Sequence, residues 1–412
     1  MSTTHQGKSC AVFQDFRFRK VHQNKNSSVL FKCTINKCSA YITVDTSLNV
    51  IRTSGVHNHL VKIDEETKNV IRGMKRKIEE DPGRPIPQVY QAERAIFGRS
   101  GGVVGKLPCL ASVRSTLYRT RLETLPVLPK SVEQLQIPAS MAVTINQQQF
   151  LIYHMNNIVV YASPTGLQML QQNSHWNADG TFKTAPMYFS QSYSIHVWDV
   201  LTMKPALFCA LPGKTFEIYK EVLTGLNCHA SNVGIILNPQ TILIDFELGA
   251  YNAFSDVYPN AIVKGCYFHF TKNIWKRIKK LGLVRDCKKE EIRREIANIM
   301  SLPLLPMNEL NNSMELIIDT LSNIDDKYIK LTDYVITTYI SGKFDIQFWN
   351  LYDTIGVRPR TNNHVEGWHR AQNSKLSTHP NIWMWVKNIQ KEEEDARYNR
   401  EQELFQDLPS KK

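Results

Sequence analysis

Two groups of side chains in this 412-residue sequence have the types and spacings that bind metal ions. Cys33 and Cys38 are separated by four residues and His57 and His59 by one, with eighteen residues between the pairs. Two thiolates and two imidazoles suit tetrahedral zinc, and close spacing within a pair lets one turn present both donors to one ion. The segment that carries them is only about fifty residues long, too short to be stabilised by apolar burial alone, so a metal staple is physically motivated. Cys10, His5 and His22 lack paired spacing and stand outside this set. The second group is carboxylates. Asp179 lies in the strand-like NADGTFKT and Asp245 ends the apolar run TILID. Glu366 lies in RTNNHVEGWHR, just after Thr361, Asn362 and Asn363, which are good helix caps. Carboxylates at the ends of buried strands are costly unless a cation or a hydrogen-bond network compensates them. If the strands carrying Asp179 and Asp245 lie side by side, the two acids converge, and a following helix can bring a third over them. Such oxygen donors suit Mg²⁺ or Mn²⁺, and two ions about 3.5–4 Å apart stabilise the attacking and leaving oxygens of an in-line displacement at phosphorus. Taken singly, each acid also fits a turn or cap, and spacing alone leaves both readings open.

The elements that must position these residues follow from periodicity. Alternation in AVFQDFRFRKV, VLFKC, AYITVDT and LNVIRTSG predicts four short strands over residues 10–60. DEETKNVIRGMKRKIEE (64–80) switches to a charged helical pattern, and DPGRPIP then breaks it. From about 147, QFLIYHM, NIVVYAS, HWNADGTFKT, YFSQSYSIHVWDV and KPALFCALP read as strands. KTFEIYKEVLTGLNCHA reads as a helix with Phe216, Tyr219, Val222 and Leu223 on one face. QTILIDFE and NAIVKGCYF are then strands, and GAYNAFSDVYP and TKNIWKRIKKLG helices. The last eight elements run β-β-β-α-β-α-β-α, the order of a mixed sheet with helices on its faces. Residues 282–357 read as almost wholly helical and 362–405 as a final pair of helices.

Composition narrows the class. Hydrophobic residues make up 42%, which excludes an intrinsically disordered chain, and the length calls for two or more domains. No uncharged apolar run approaches the roughly 18 residues of a membrane span, and MSTTHQGKSC has no apolar core like that of a signal peptide. Eight Cys over this length do not make a disulfide scaffold, so the expectation is an intracellular, reducing compartment. Fifty Lys and Arg against 38 Asp and Glu leave a charge of +12. Residues 8–60 hold eight of the cations and only Asp15 and Asp45 as acids. A polyanion is the natural partner of so basic a module, although a merely solvated basic surface has the same composition.

FRFRK, then FKC-x4-KC, then the terminal HNH resemble a FLYWCH-type zinc finger, with Phe31 where that family usually carries Trp. The resemblance implies a DNA- or protein-binding module with Cys33, Cys38, His57 and His59 as its zinc ligands. ADGTFKT, IDFELGAYNAF, GCYFHFTKNIWKRIKKLGL and TNNHVEGWHR, in this order, resemble the blocks of a Mutator-like (MULE) transposase domain. That resemblance implies a ribonuclease-H-like α/β fold with a helical insertion, preceded here by the small β-rich finger. It also implies a catalytic triad of Asp179, Asp245 and Glu366 holding Mg²⁺ or Mn²⁺, double-stranded DNA as partner, a homo-oligomer on DNA and a nuclear location. The domains expected are the finger (8–62), a partly helical, DNA-binding connector (63–145), the catalytic core (146–281), the helical insertion (282–357) and the C-terminal helices bearing Glu366 (358–412). The competing expectation is a domesticated, non-catalytic DNA-binding or transcription-regulating protein that keeps the fold.

Other features carry two readings each. Cys266 and His269 resemble the Cys-x-x-His motif of the same group; two ligands are too few for a closed zinc site, so they either pack near the carboxylates or act on DNA. Glu247 is an outer carboxylate or a salt-bridge partner, while Asp199 and Asp256 are structural or surface residues. Trp368 and His369 face substrate or fill the interface between helix and sheet, and Arg370 lies one turn from Glu366. KGCYFHFTKNIWKRIKK (264–280) has six Lys and Arg, no acid, and Phe268, Phe270 and Trp275 interleaved. It tracks a DNA backbone or is a solvated helix face. MKRK (74–77) is compatible with nuclear import.

Overall fold

A computed structural model describes residues 2–3, 9–14, 16–47, 49–58, 65–356 and 361–406, and the chain divides into two compact units, Met1–Leu125 and Pro126–Lys412. His59 lies outside the described residues.

The first unit opens with an antiparallel meander of six strands in sequential order: β1 (Ser2–Thr3), β2 (Ser9–Phe13), β3 (Phe16–Gln23), β4 (Val29–Cys33), β5 (Tyr41–Val44) and β6 (Val50–Ser54). AVFQDFRFRKV, expected as one strand, is a hairpin: the chain reverses at Gln14, whose φ is +45, and Phe13 pairs with Phe16. Alternating residues of β3, β4 and β5 bury Phe18, Phe31 and Ile42 in a small core with Cys33 and Cys38. Three helices follow, α1 (Glu65–Glu80), α2 (Ile86–Arg99) and α3 (Leu110–Glu123). They share a second core of Met74, Ile78, Val89 and Leu117. MKRK lies within α1, where Met74 is buried and Lys77 pairs with Glu93, so it is not an extended basic peptide.

The second unit is built on a seven-stranded mixed sheet. A hairpin of β7 (Leu151–Met155) and β8 (Ile158–Tyr161) turns through Asn156 and Asn157, both with positive φ, as a two-residue hairpin loop requires. After α4 (Pro164–Gln172), capped by Ser163, come β9 (His175–Thr181), β10 (Gln191–Asp199) and β11 (Thr202–Leu211) as an antiparallel run. Then α5 (Phe216–Asn232), β12 (Thr241–Ile244), α6 (Leu248–Val257), β13 (Ile262–Gly265) and α7 (Tyr267–Lys280) follow in the expected order. β12 pairs in parallel with both β9 and β13, and the spatial order is β13-β12-β9-β10-β11-β8-β7. Strand runs such as Ile242–Ile244 and Ile195–Val197 are buried, because helices shield the sheet.

One boundary differs from the periodicity reading and matters for the site. The apolar run through Cys266, Tyr267 and Phe268 continues β13 by pattern, yet the strand stops at Gly265 and the helix starts at Tyr267. At Gly265 a Cβ would press into Phe348 and Phe246, and Phe270 N–H already bonds the Cys266 carbonyl at 3.1 Å. His269 therefore stands in the first turn of a helix.

Residues 282–356 form a helical layer of α8 (Glu290–Ser301), α9 (Leu310–Ile324), α10 (Ile329–Val335) and α11 (Ile346–Trp349). Its Leu302, Leu331, Tyr339 and Trp349 join the core of the sheet. Two helices close the unit, α12 (Asn363–Lys375) and α13 (Ile382–Phe405), the latter capped by the Asn381 side chain. Among the described residues, no helix is long and apolar enough to cross a membrane.

Candidate active site

The sheet brings the two aspartates together through register. Leu243 of β12 pairs with Asn177 of β9, and each aspartate lies two residues beyond its member of that pair, on the same side of the pleat. Asp245 directly follows β12 and Asp179 lies in the last half of β9, so both are toward the carboxyl ends of these parallel strands, the usual location of ligand sites in such sheets. Oδ1 of Asp179 accepts from Gly180 N–H at 2.8 Å, and Oδ1 of Asp245 accepts from Phe246 N–H at 2.6 Å. One ligand atom each from Asp179, Asp245 and His269 lie within 4.8 Å of one another.

Glu366 reaches this group through His269. Nδ1 of His269 is 3.5 Å from Asp245 Oδ1, and its Nε2 is 3.2 Å from Glu366 Oε1. The imidazole stands between the second and third expected carboxylates, so Glu366 is a neighbour of the cluster and not one of its closely spaced atoms. Nδ1 of His269 is buried and has no hydrogen-bond partner among the described residues. Burial pushes the Asp245 carboxyl above its ordinary range; His269 and the Phe246 N–H pull it down, and Asp179 and Glu247 add to the rise. Among the described residues, no Lys or Arg pairs with Asp179, Asp245 or Glu366.

Helix α12 is held over the sheet by its first residues. Asn362 Nδ2 donates to the Ala178 carbonyl at 3.3 Å and its backbone N–H to Cys266 Sγ at 3.2 Å. Cys266 is thereby a structural acceptor at the start of α7. Burial pushes its thiol up to about 11, which keeps it neutral at physiological pH. One turn beyond Glu366, His369 Nδ1 lies 3.5 Å from Asp179 Oδ2, and its Nε2 is 3.4 Å from Ser194 Oγ. Ser194 in turn contacts His196 Nε2 at 2.9 Å. All three are buried. Burial drives His196 well below its ordinary range, with His369 adding to the effect, so His196 is neutral. This polar chain behind Asp179 is absent from the sequence reading. Its signal was there: Ser194 and His196 interrupt the buried strand YSIHVW at alternate positions, and Ser194 pairs directly with Asp179.

The remaining residues resolve simply. Glu247 pairs with Lys214 and accepts from Tyr219 OH at 2.5 Å, so it is a salt-bridge partner; it precedes α6, because β12 does not continue that far. Asp199 is buried against Arg400 at 3.1 Å, and Asp256 pairs with Lys220 at 3.0 Å. Trp368 donates to Glu392 at 2.6 Å and packs on His196, filling the interface between helix and sheet, while Arg370 is exposed. Gly180 has a steric role as well: a Cβ there would fall on the buried Gln191 side chain, which lies 3.0 Å from Tyr219 OH. Gly180→Ala is expected to displace Gln191 and cost about 1–3 kcal/mol, as overpacking does. A lowered thermal midpoint against wild type checks this.

In the first unit, one atom each of Cys33, Cys38 and His57 also lie within 4.8 Å of one another, with Cys38 Sγ 3.4 Å from His57 Nδ1. Burial, with Cys38 adjacent, raises the Cys33 thiol. Gly55, at φ +72, lets the strand return against Ser39, where any Cβ would collide with the Ser39 carbonyl. The ring of His57 stacks on Phe16 at 3.5 Å.

Residues 175–273 match the MULE transposase domain. The matched transposase domain runs from the first residue of β9 into α7 and so includes Asp179, Asp245, Cys266 and His269; Glu366 lies beyond it. A comparison with curated proteins found no match.

Proposed function

We propose that the chain is a Mutator-like DNA transposase whose catalytic centre is formed by Asp179, Asp245 and Glu366. The observation that carries this reading is the convergence of Asp179, Asp245 and His269 inside the matched transposase domain, with no Lys or Arg paired with the acids among the described residues. A buried, acidic donor set of this kind fits divalent cations. The strand pattern supports a ribonuclease-H-like core: antiparallel β9-β10-β11, with β12 and β13 parallel on the other edge of β9 and helices between.

Asp179 and Asp245 would hold Mg²⁺ or Mn²⁺, with Glu366 as the third carboxylate. Bound there, the ions supply Lewis-acid activation and charge neutralisation for phosphodiester cleavage and strand transfer on double-stranded DNA. The protein's own contribution is positioning. Gly180 and Phe246 N–H groups orient the aspartates, His369 steadies Asp179 from behind, and Asn362 fixes the start of the helix that delivers Glu366. The sheet of the first unit is proposed as a FLYWCH-type finger holding Zn²⁺ through Cys33, Cys38 and His57, with His59 as the fourth ligand from the sequence pattern. Finger and helices would bind DNA in the nucleus as a homo-oligomer.

The test is strand cleavage. Full-length protein with a labelled duplex should nick it in Mg²⁺ or Mn²⁺ and leave it intact in Ca²⁺. A second reading, a non-catalytic DNA-binding descendant, is favoured by one observation, the interposition of His269 between Asp245 and Glu366. DNA binding without nicking in either metal would select it.

A further inference from the structure

Helix α7 leaves the carboxylate cluster carrying cations that neither the core nor an acid uses. Two of the six Lys and Arg between 264 and 280 are occupied. Lys264 Nζ donates to the carbonyls of Gln347 and Asn350 at 2.7 and 2.8 Å. Arg277 lies over the Tyr334 ring and donates to the Lys330 carbonyl at 3.4 Å. The other four, Lys272, Lys276, Lys279 and Lys280, are exposed, and among the described residues none has an ion-pair partner. Two of the three interleaved aromatics are unavailable to a ligand: Phe270 is buried and stacks on Trp349, and Trp275 packs against the core. Phe268 alone lies with the lysines, under Lys272 Nζ at 5.3 Å.

The four lysines fall within roughly 100° of one another around the helix axis, away from the buried Phe270, Ile274 and Ile278. His269 stands one turn before Lys272 and touches Asp245 and Glu366, so the row begins at the cluster and runs about 16 Å from it. Helix stability does not account for the pattern. Lys279 and Lys280 complement the C-terminal end of the helix dipole. Lys272 and Lys276 lie mid-helix, and the pairs 272/276 and 276/280 set like charges four residues apart, which destabilises a helix. Successive lysines one turn apart match the spacing of neighbouring phosphates on one strand, and uncompensated cations beside an acidic pocket are what a polyanion offsets.

We infer that α7 is a phosphate rail. Lys272, Lys276 and the Lys279/Lys280 pair hold roughly two or three consecutive phosphates of the cut strand, on one side of the scissile bond. The placement of that bond rests on the carboxylate reading above; the binding itself does not.

The experiment uses the full chain carrying Lys272→Gln, Lys276→Gln, Lys279→Gln and Lys280→Gln, titrated onto a fluorescein-labelled DNA duplex across a range of KCl, with Ca²⁺ replacing Mg²⁺. Each phosphate neutralised contributes about 0.9 to the slope of log affinity against log salt. The slope should therefore shrink by about 2–3 with the circular-dichroism melt unchanged. If the quadruple variant melts early, the Lys272→Gln/Lys276→Gln pair should show about half that loss. An unchanged slope in a folded variant overturns the rail, even if wild type cuts DNA in Mg²⁺. A reduced slope with no cutting by wild type keeps the rail and removes the carboxylate reading.

Discussion

Asp179→Asn should lower Mg²⁺-dependent nicking at least about a thousand-fold, equivalent to roughly 4 kcal/mol of lost charge stabilisation, while duplex affinity stays within a few-fold. The substitution keeps the shape and can still accept from Gly180 N–H, so the fold should persist. Asp245→Asn should lose activity similarly and gain stability in the metal-free protein. Its carboxyl is raised by burial, so the fold disfavours the charged form. For such a group the penalty is present above the raised folded pKa and is relieved as pH falls through it, the reverse of a salt-bridged acid. Asn removes the penalty at neutral pH, an expected trade of stability against function. Nicking rates and thermal melts of the two variants check both statements. A destabilised Asp245→Asn would mark that residue as a structural ion-pair partner.

The second large effect concerns the proposed finger. Cys38→Ser should abolish zinc retention and unfold the β2–β6 sheet, because Phe18, Phe31 and Ile42 make too small a core to hold it alone. Structural zinc supplies about 10–16 kcal/mol in isolated fingers at neutral pH, far more than so small a core provides. Atomic absorption should find one zinc per wild-type chain and none in the variant. Limited proteolysis should cut the variant within residues 9–58 and leave Pro126–Phe405 protected. A zinc-free wild type with a protease-resistant sheet would remove the staple.

Asp179 and Asp245 were legible because each ends or interrupts an apolar strand run, a pattern that survives without knowledge of partners. Their convergence needed the two strands to be neighbours, which the alternation of helix and strand left conditional and the parallel pairing of β12 with β9 provides. Glu366 was legible as a cap-adjacent acid, but its route to the cluster was not. It depends on Asn362 bonding across to Ala178 and Cys266, contacts that span 184 and 96 residues. His269 was legible as an imidazole packing near the carboxylates, but NAIVKGCYF was read as strand as far as Phe268, because an apolar run cannot show where a strand stops; the strand ends at Gly265 and the helix begins at Tyr267. The chain from His369 through Ser194 to His196 escaped for a related reason. Single polar residues on a strand become a network only when the helix that faces them is in place. Phe270 and Trp275 looked available to DNA in sequence, and helical phase turned both toward the core.

The carboxylate centre is tested most directly by diffraction from crystals of the full chain soaked in Mn²⁺, using the metal's anomalous signal. Mn²⁺ is expected on the carboxylate oxygens of Asp179 and Asp245, with Glu366 joining them. Saturating Mn²⁺ that leaves these oxygens metal-free, with His269 still bridging Asp245 and Glu366, would contradict it.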